Sequence, residues 1–184
     1  GQDVCYLLRN DGTAAVWGRS YPSRPPNLTN VAKIGCGGHA CFVLYTDSTA
    51  STWPNDPELS SGIYGGNTSA VNLTNVVDIS CGDTVCVARK KDNTAEVWGA
   101  GDAFTPHLEL GGDASGVDLT NVADIKCFMS VCIARKYNNT IEAWGRDDIA
   151  NLSGVDATNI VDATCGFASC VARKGDGSIV AWGA

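Results

Sequence analysis

The residues best equipped for chemistry are the cysteines. The 184-residue chain has nine. Eight of them fall into four Cys-x4-Cys pairs: Cys36 and Cys41, Cys81 and Cys86, Cys127 and Cys132, Cys165 and Cys170. Two chemistries are open to such pairs. Thiolates can ligate zinc, but zinc sites more often space close cysteines by two to four residues and need two pairs to converge on one ion. The alternative is oxidation within each pair, in the order just given. Because each pair stands in its own stretch of chain, this reading is favoured over a metal. Disulfides persist in oxidising places, so it points to a secreted, cell-surface or lumenal protein. The ninth, Cys5, follows Gly1 in a segment (GQDVC) that aligns beneath CGDTVC of 81–86. Its expected partner is a cysteine upstream of the chain.

Other candidate chemistry is thin. His39 lies in the Cys36–Cys41 turn and His107 in a long loop, at non-equivalent positions and without a recurrent acidic partner. Asp78, Asp124 and Asp162 recur three residues before a first cysteine. Recurrence in every unit is what a structural role predicts, whereas an active site is usually built once. The glycine pairs Gly65-Gly66 and Gly111-Gly112 lack the strand-to-helix setting of a phosphate cradle, and no acidic run has calcium-loop spacing. The sequence is therefore read as non-enzymatic, with no cofactor and no metal. The net charge of −7 argues against nucleic acid, whose binding rests on clustered Lys and Arg. No apolar run is long enough to span a membrane.

What must position these cysteines is a repeat. A Trp follows each second cysteine at the same distance: Cys5 to Trp17, Cys41 to Trp53, Cys86 to Trp98, Cys132 to Trp144, Cys170 to Trp182. The stretch from that Trp to the next pair varies in length. A constant half joined to an elastic half reads as a rigid hairpin followed by a surface loop. Ahead of each pair runs a period-two segment such as Asn75-Val76-Val77-Asp78-Ile79, the signature of a strand. It reverses at the cysteine turn and returns. Asp11-Gly12, Asp92-Asn93 and their equivalents then suit a two-residue hairpin turn with positive φ. That register predicts Arg89 opposite Glu96, Val87 opposite Trp98, and Arg135 opposite Glu142. No segment has a convincing helical period. The expected fold is all-β, with propeller blades of about four antiparallel strands in a single repeat domain, 1–184. Roughly four units are present: 1–35, 36–80, 81–126 and 127–164, then a partial one at 165–184. The Trp of each unit is expected to pack between blades.

The run 75–82 (Asn-Val-Val-Asp-Ile-Ser-Cys-Gly), then Cys-Val-Ala-Arg at 86–89 and Glu-Val-Trp-Gly at 96–99, resembles the regulator-of-chromosome-condensation repeat family. The frame recurs at 160–183, and the resemblance covers essentially the whole chain. It implies a propeller, usually of seven blades, whose last blade takes strands from both chain ends. There are departures. A His common in the family before the second cysteine's position is replaced by Ala40, Val85, Val131 and Ser169. The second cysteine stands where a small hydroxyl residue is usual. Pro54 follows Trp53, and Phe128 takes the place of the turn Gly. The chain is expected to be a segment of a longer protein, with a closed ring of about four blades or a half ring completed by a second chain as alternatives.

Two surface patterns remain. Arg89, Arg135 and Arg173 align, as do Lys90, Lys136 and Lys174, and read as charged strand ends or as a surface for an acidic partner. Five sequons occur, at Asn27, Asn67, Asn72, Asn138 and Asn151; two belong to the repeated phrase Asn-Leu-Thr-Asn-Val, so a turn accounts for them equally well. Asn67 and Asn151, in variable loops, are the favoured glycosylation candidates. The expected function is a protein-binding scaffold or a structural part of an extracellular assembly, whose partner is another protein or neighbouring copies. Tyr64, Phe104 and His107, in the longest loops, are the candidate contact residues. A guanine-nucleotide exchange factor and a secreted enzyme inhibitor are the alternatives; the first needs a reducing compartment.

Overall fold

The computed structural model describes residues 4–18, 25–55, 68–99 and 113–183. Among them the chain forms five antiparallel sheets. The first pairs β1 (Val4–Leu8) with β2 (Ala14–Gly18). The second runs β3 (Val31–Cys36), β4 (Ala40–Tyr45), β5 (Ala50–Pro54). The third runs β6 (Val76–Cys81), β7 (Val85–Lys90), β8 (Ala95–Gly99). The fourth runs β9 (Val122–Phe128), β10 (Val131–Lys136), β11 (Ile141–Gly145). The fifth runs β12 (Ile160–Cys165), β13 (Ser169–Lys174), β14 (Ile179–Gly183). These are propeller blades. Where about four strands each were expected, three are formed in the last four sheets. In the first four sheets the returning chain is joined to the outer strand by a backbone bond: the Leu28, Leu73, Leu119 and Ala157 carbonyls accept from Ala14, Ala50, Ala95 and Ile141 at 2.9, 2.9, 3.0 and 3.3 Å. The sheets begin upstream of the cysteine-to-cysteine units, whose boundaries fall at the ends of β3, β6, β9 and β12. One short helix, α1 (Asp147–Ala150), adds to the all-β expectation and buries Ile149 and Ala150.

Each sheet packs on the next in chain order, and the alternation of side chains along the strands decides how. Phe42 and Leu44 on one face of the second sheet meet Val76, Ile79, Ala88 and Trp98 of the third. Val85 and Val87 on the third meet Val122, Ile125, Ala134 and Trp144 of the fourth. Val131 and Ile133 on the fourth meet Ile160, Ala163, Ala172 and Trp182 of the fifth. Val4 and Ala14 of the first meet Ile34, Val43 and Trp53 of the second. The leading face of every sheet from the second on thus carries the Trp, and the trailing face carries Val, Ile or Phe. Fully burying one such side chain stabilises by about 1.5–3 kcal/mol.

The hairpin register differs from the sequence expectation by one residue. Ala88, not Arg89, stands opposite Glu96, and Cys86, not Val87, opposite Trp98. Likewise Ala134, not Arg135, faces Glu142. The turn is not a two-residue one. Asn93 N–H donates to the Lys90 carbonyl at 3.0 Å and Lys90 N–H to the Thr94 carbonyl at 2.8 Å, a three-residue loop. Only the third residue has positive φ: Gly12 (77°), Ser48 (69°), Asn93 (66°), Asn139 (63°) and Gly177 (86°). This is a type I turn closed by a left-handed residue. The reason lies in the next sheet. The carbonyls of Gly12, Ser48, Asn93 and Asn139 accept from the N–H of Val31, Val76, Val122 and Ile160, at 2.7–2.8 Å. The loop conformation that aims this carbonyl outward staples one blade to the first residue of the next.

Candidate protein-binding end of the sheets

The sheets have two unlike ends. At the disulfide end, each inner strand reverses through the cysteine turn, and β2, β5, β8 and β11 finish beside it. At the hairpin end, the three-residue loops sit next to the turns that start β3, β6, β9 and β12.

At the disulfide end all four pairs are oxidised as the spacing predicted: Cys36–Cys41, Cys81–Cys86, Cys127–Cys132 and Cys165–Cys170, with S–S distances of 2.04, 1.99, 2.00 and 1.97 Å. Their Cα atoms are 3.9–4.1 Å apart, closer than the usual range of about 4.4–6.8 Å. Register brings them near: Gly37 N–H donates to the Ala40 carbonyl at 2.8 Å, so Cys36 and Cys41 form the next, non-hydrogen-bonded pair, in which Cα atoms lie closer than in a hydrogen-bonded one. Closing so short a loop stabilises by about 2 kcal/mol on the chain-entropy account. Cys5 is exposed and has no disulfide partner among the described residues. The described residues contain no cluster of His, Cys, Asp and Glu able to hold a metal.

The turns nest against one another. Gly38 N–H donates to the Gly82 carbonyl at 3.1 Å, His39 N–H to the Asp83 carbonyl at 3.2 Å, and Asp83 N–H to the Met129 carbonyl at 2.7 Å. Contact is so close that a Cβ on Gly37 would lie 1.8 Å from the Gly82 oxygen, and one on Gly82 would lie 2.3 Å from the Met129 oxygen. The row bounds a depression of about 380 Å³, where His39, Asp83 and Met129 project. Asn55, buried, braces the first of these turns by donating from Nδ2 to the Gly38 carbonyl at 2.7 Å.

The third turn departs from this row: Phe128 stands where the other turns have Gly. The notch so opened is lined by Phe128, Met129, Arg146, Ile149 and Phe167. The Arg146 guanidinium lies 6.0 Å from the Phe167 ring centroid and grips Asp148 through two hydrogen bonds of 2.7 and 2.9 Å. Those bonds hold the Asp148 carboxyl below its ordinary pKa. Phe167 is 71% exposed. An exposed ring beside a guanidinium and a Met is the composition of a protein-contact site. Phe128 is legible in the sequence as a departure from the repeat, whereas Phe167 and Arg146 are not among the expected contact residues. The signal was available: two residues after each first cysteine stand Gly38, Asp83, Met129 and Phe167, a position free to vary.

The hairpin end is uniform. In each hairpin loop an Asp or Asn accepts from the N–H and hydroxyl of the residue two further on: Asp11 from Thr13, Asp47 from Thr49, Asp92 from Thr94, Asn138 from Thr140, Asp176 from Ser178. The hydroxyl first, then the N–H, lower the pKa of Asp11, Asp47, Asp92 and Asp176. The neighbouring turns repeat the device with Asn27, Asn72, Asp118 and Asp156. Asn27, Asn72 and Asn138 therefore sit where other repeats have Asp. Asn151 accepts from Ser153 N–H as Asp113 does from Ser115 N–H. At these four exposed sequons the turn explains the residues. Asn67, Tyr64, Phe104 and His107 lie outside the described residues.

The aligned Lys are not a surface stripe. Lys90 and Lys136 are buried. Lys90 donates to the carbonyls of Asn72 and Thr74, Lys136 to Asp118 and Lys174 to Asp156. Tyr45 takes the same place in the second sheet, donating to the Asn27 carbonyl at 2.9 Å. Each ties the returning chain to its blade. Asp118 and Asp156 are held down to about 2, first by these ammonium groups. The recurring acids are structural too. Asp78 pairs with Lys33 at 2.7 Å, Asp162 with Lys126 at 2.6 Å, and Asp124 accepts from Ile125 N–H.

No family model matches the sequence, and no curated protein matches it. Solved structures do. The chain superposes over 100% of its length on 50% of the ectodomain of the receptor kinase CR4 from Physcomitrella patens, with 15% identity and a TM-score of 0.68. It superposes over 100% of its length on 56% of Prp20p from Saccharomyces cerevisiae, with 14% identity and a TM-score of 0.71. For the CRINKLY WD40 ectodomain of the Arabidopsis thaliana receptor kinase ACR4 the values are 100%, 66%, 14% and 0.65. The chain thus spans between half and two thirds of each of these structures. At such identities the likeness establishes the fold.

Proposed function

We propose, from the premise that this chain is a repeat propeller of the regulator-of-chromosome-condensation type, that it is a non-enzymatic protein-binding scaffold of an oxidising compartment. It engages its partner with the disulfide end. The observation that carries the reading is the contrast of the two ends. One repeats the same turn in every blade. The other sets unlike side chains, Phe167, Arg146, Met129 and His39, on a frame locked by four disulfides. Binding surfaces are commonly variable groups held on a rigid scaffold, and a locked frame lowers the ordering cost of association. Extracellular placement is supported by the disulfides and by the receptor ectodomains among the structural neighbours. Protein binding is supported by Prp20p, described with its binding to Gsp1p and histones, and by yeast RCC1, bound to Kap60. Glycosylation at Asn151 or Asn67 belongs to the same reading. Exchange activity on a nucleotide-binding protein suits a reducing compartment, which the four disulfides weigh against.

The test is cross-linking of the oxidised chain to secreted or surface proteins of its source, with the contacts mapped by mass spectrometry. Cross-links concentrated around 128–130, 146–150 and 166–168 are expected. Phe167→Ala should weaken capture while leaving the melting temperature unchanged. Cross-links concentrated on the hairpin loops, or capture indifferent to Phe167→Ala, would overturn the reading.

A further inference from the structure

Lysine fills the tying position of the third, fourth and fifth sheets, and its charge is matched in the third and the fifth. In the third sheet Lys90 pairs with Glu96 at 3.3 Å. Glu96 also accepts from the Asn72 N–H at 3.0 Å, and Asn72 itself is neutral. In the fifth, Lys174 pairs with Asp156, and Val180 stands in the place of Glu96. The fourth sheet has both carboxylates around one ammonium. Asp118 takes the slot of Asn72 and Glu142 that of Glu96. Asp118 holds Lys136 with one oxygen and accepts from Thr120 N–H and hydroxyl with the other, at 3.0 and 2.7 Å. Glu142 is left 3.9 Å from the Lys136 ammonium, beyond hydrogen-bond reach. One negative charge is in excess.

The same blade departs from the others at one more position. After the tying residue stand Thr46, Lys91 and Gly175 in the other sheets, but Tyr137 here. Tyr137 is 61% exposed, and its hydroxyl donates to Asn93 Oδ1 at 3.2 Å, which holds the ring across to the hairpin of the third sheet. Asp118, Lys136, Tyr137 and Glu142, with Asn121 and Asn138, line one open cavity of about 440 Å³. A device repeated in every blade serves the fold; this combination is built once. The excess carboxylate calls for a cation, and the ring calls for a flat one. A guanidinium meets both demands, since it stacks on aromatic faces and pairs with a carboxylate through parallel N–H bonds. We propose that this cavity binds a guanidinium group, carried by an arginine of a peptide or by a small guanidino compound. Glu142 accepts its N–H groups and Tyr137 lies against its plane. Asp118 is a positioning residue: by engaging Lys136 it keeps Glu142 open for the guest. The site is separate from the disulfide end proposed above for a partner.

The test is an NMR titration of the backbone amides of the whole 184-residue chain, oxidised, at neutral pH and low salt. The probes are ethylguanidinium, the blocked tripeptide acetyl-Gly-Arg-Gly-amide, and the same tripeptide with neutral citrulline for arginine. Saturable shifts around 118–121 and 136–142 are expected with both guanidinium probes and absent with citrulline. Tighter binding of the tripeptide would assign the guest to an arginine in a chain, and tighter binding of ethylguanidinium to a free compound. Glu142→Gln should weaken binding at least about tenfold, the worth of a charged hydrogen bond. Tyr137→Ala should weaken it and Tyr137→Phe retain it. Asp118→Asn, which puts in this slot the residue of the preceding blade, should release Lys136 to Glu142 and abolish binding although both contact residues remain. Glu96→Gln and Phe167→Ala should bind like the parent, and the second separates this result from failure of the partner site. No saturable shift with either guanidinium probe would overturn the proposal. So would citrulline binding as well as arginine, or Glu142→Gln or Asp118→Asn binding like the parent.

Discussion

The two ends of the sheets are built from the same strands and behave differently. At the hairpin end every blade solves one local problem in one way. An Asx turn fixes the loop, in the first four sheets a left-handed residue aims a carbonyl at the next blade, and in the second to fifth sheets Lys or Tyr ties down the returning chain. At the disulfide end the frame is equally regular, because all four cysteine pairs occupy the same register, yet the side chains on it are not. Uniformity marks the end that holds blades together. Irregularity on a fixed frame marks the end where selection for something other than stability has room to act. The difference is sharpest between the third and fourth sheets: the Gly82 turn touches its neighbour so closely that no Cβ fits, while the next turn has Phe128 in the place of that Gly.

Gly82→Ala is expected to break the nested row with the largest effect, about 2–3 kcal/mol of destabilisation, because the added Cβ meets backbone rather than a side chain that can yield. Gly166→Ala should be neutral, or stabilising by about 0.5 kcal/mol through the unfolded chain. Urea unfolding of the two variants side by side measures the contrast; equal effects would mean that the turns do not nest.

At the other end, Lys136→Ala should cost about 1.5 kcal/mol, the low end of the worth of a hydrogen bond to a charged group. Asp118 is exposed and keeps its water when the ammonium is removed, so the larger penalty of a stranded buried charge does not apply. Lys136→Tyr should recover part of the loss, since Tyr45 fills that place in the second sheet.

The smallest effect expected is the pH response of the hairpin end. Its carboxylates have folded pKa values below the ordinary one, about 2 for Asp118 and Asp156, against about 3.9 in an unfolded chain. Between those values the unfolded state binds more protons, so stability is fully present above about pH 4 and declines as pH falls toward 2. Thermal midpoints at intervals from pH 6 to pH 2 should show that decline, and Asp118→Asn with Asp156→Asn should flatten it. A decline of the same size in the double variant would place the titration elsewhere.

How much of this was legible in the residues varies with how local the cause is. The cysteine pairing and the strand that precedes it follow from a few neighbouring residues, and both stand as read. The Asn27 and Asn72 sequons, which a turn explains equally well in the sequence, do hold one, because Asn72 and Asp118 fill one slot in successive repeats. The hairpin register was misread because Asp92-Asn93 suits two kinds of turn, and the choice between them is made by Val122 of the following sheet. Lys90 and Lys136 were read as surface charge because a strand's last residue usually is; their burial depends on the returning chain laid over them. Phe167 and Arg146 are far apart in the repeat pattern and meet only where two blades diverge.

By itself, then, the sequence determined the repeating unit: which segments are strands, where they reverse, and which thiols join, since each is set within one turn or one period of alternation. Only the tertiary structure decided what each unit does to the next. Whether a glycine is indispensable, a lysine buried, or an apolar face covered depends on the blade alongside, and so does the placing of an aromatic ring in a notch open to a partner. No residue carries that information alone, because it resides in the distance between two sheets.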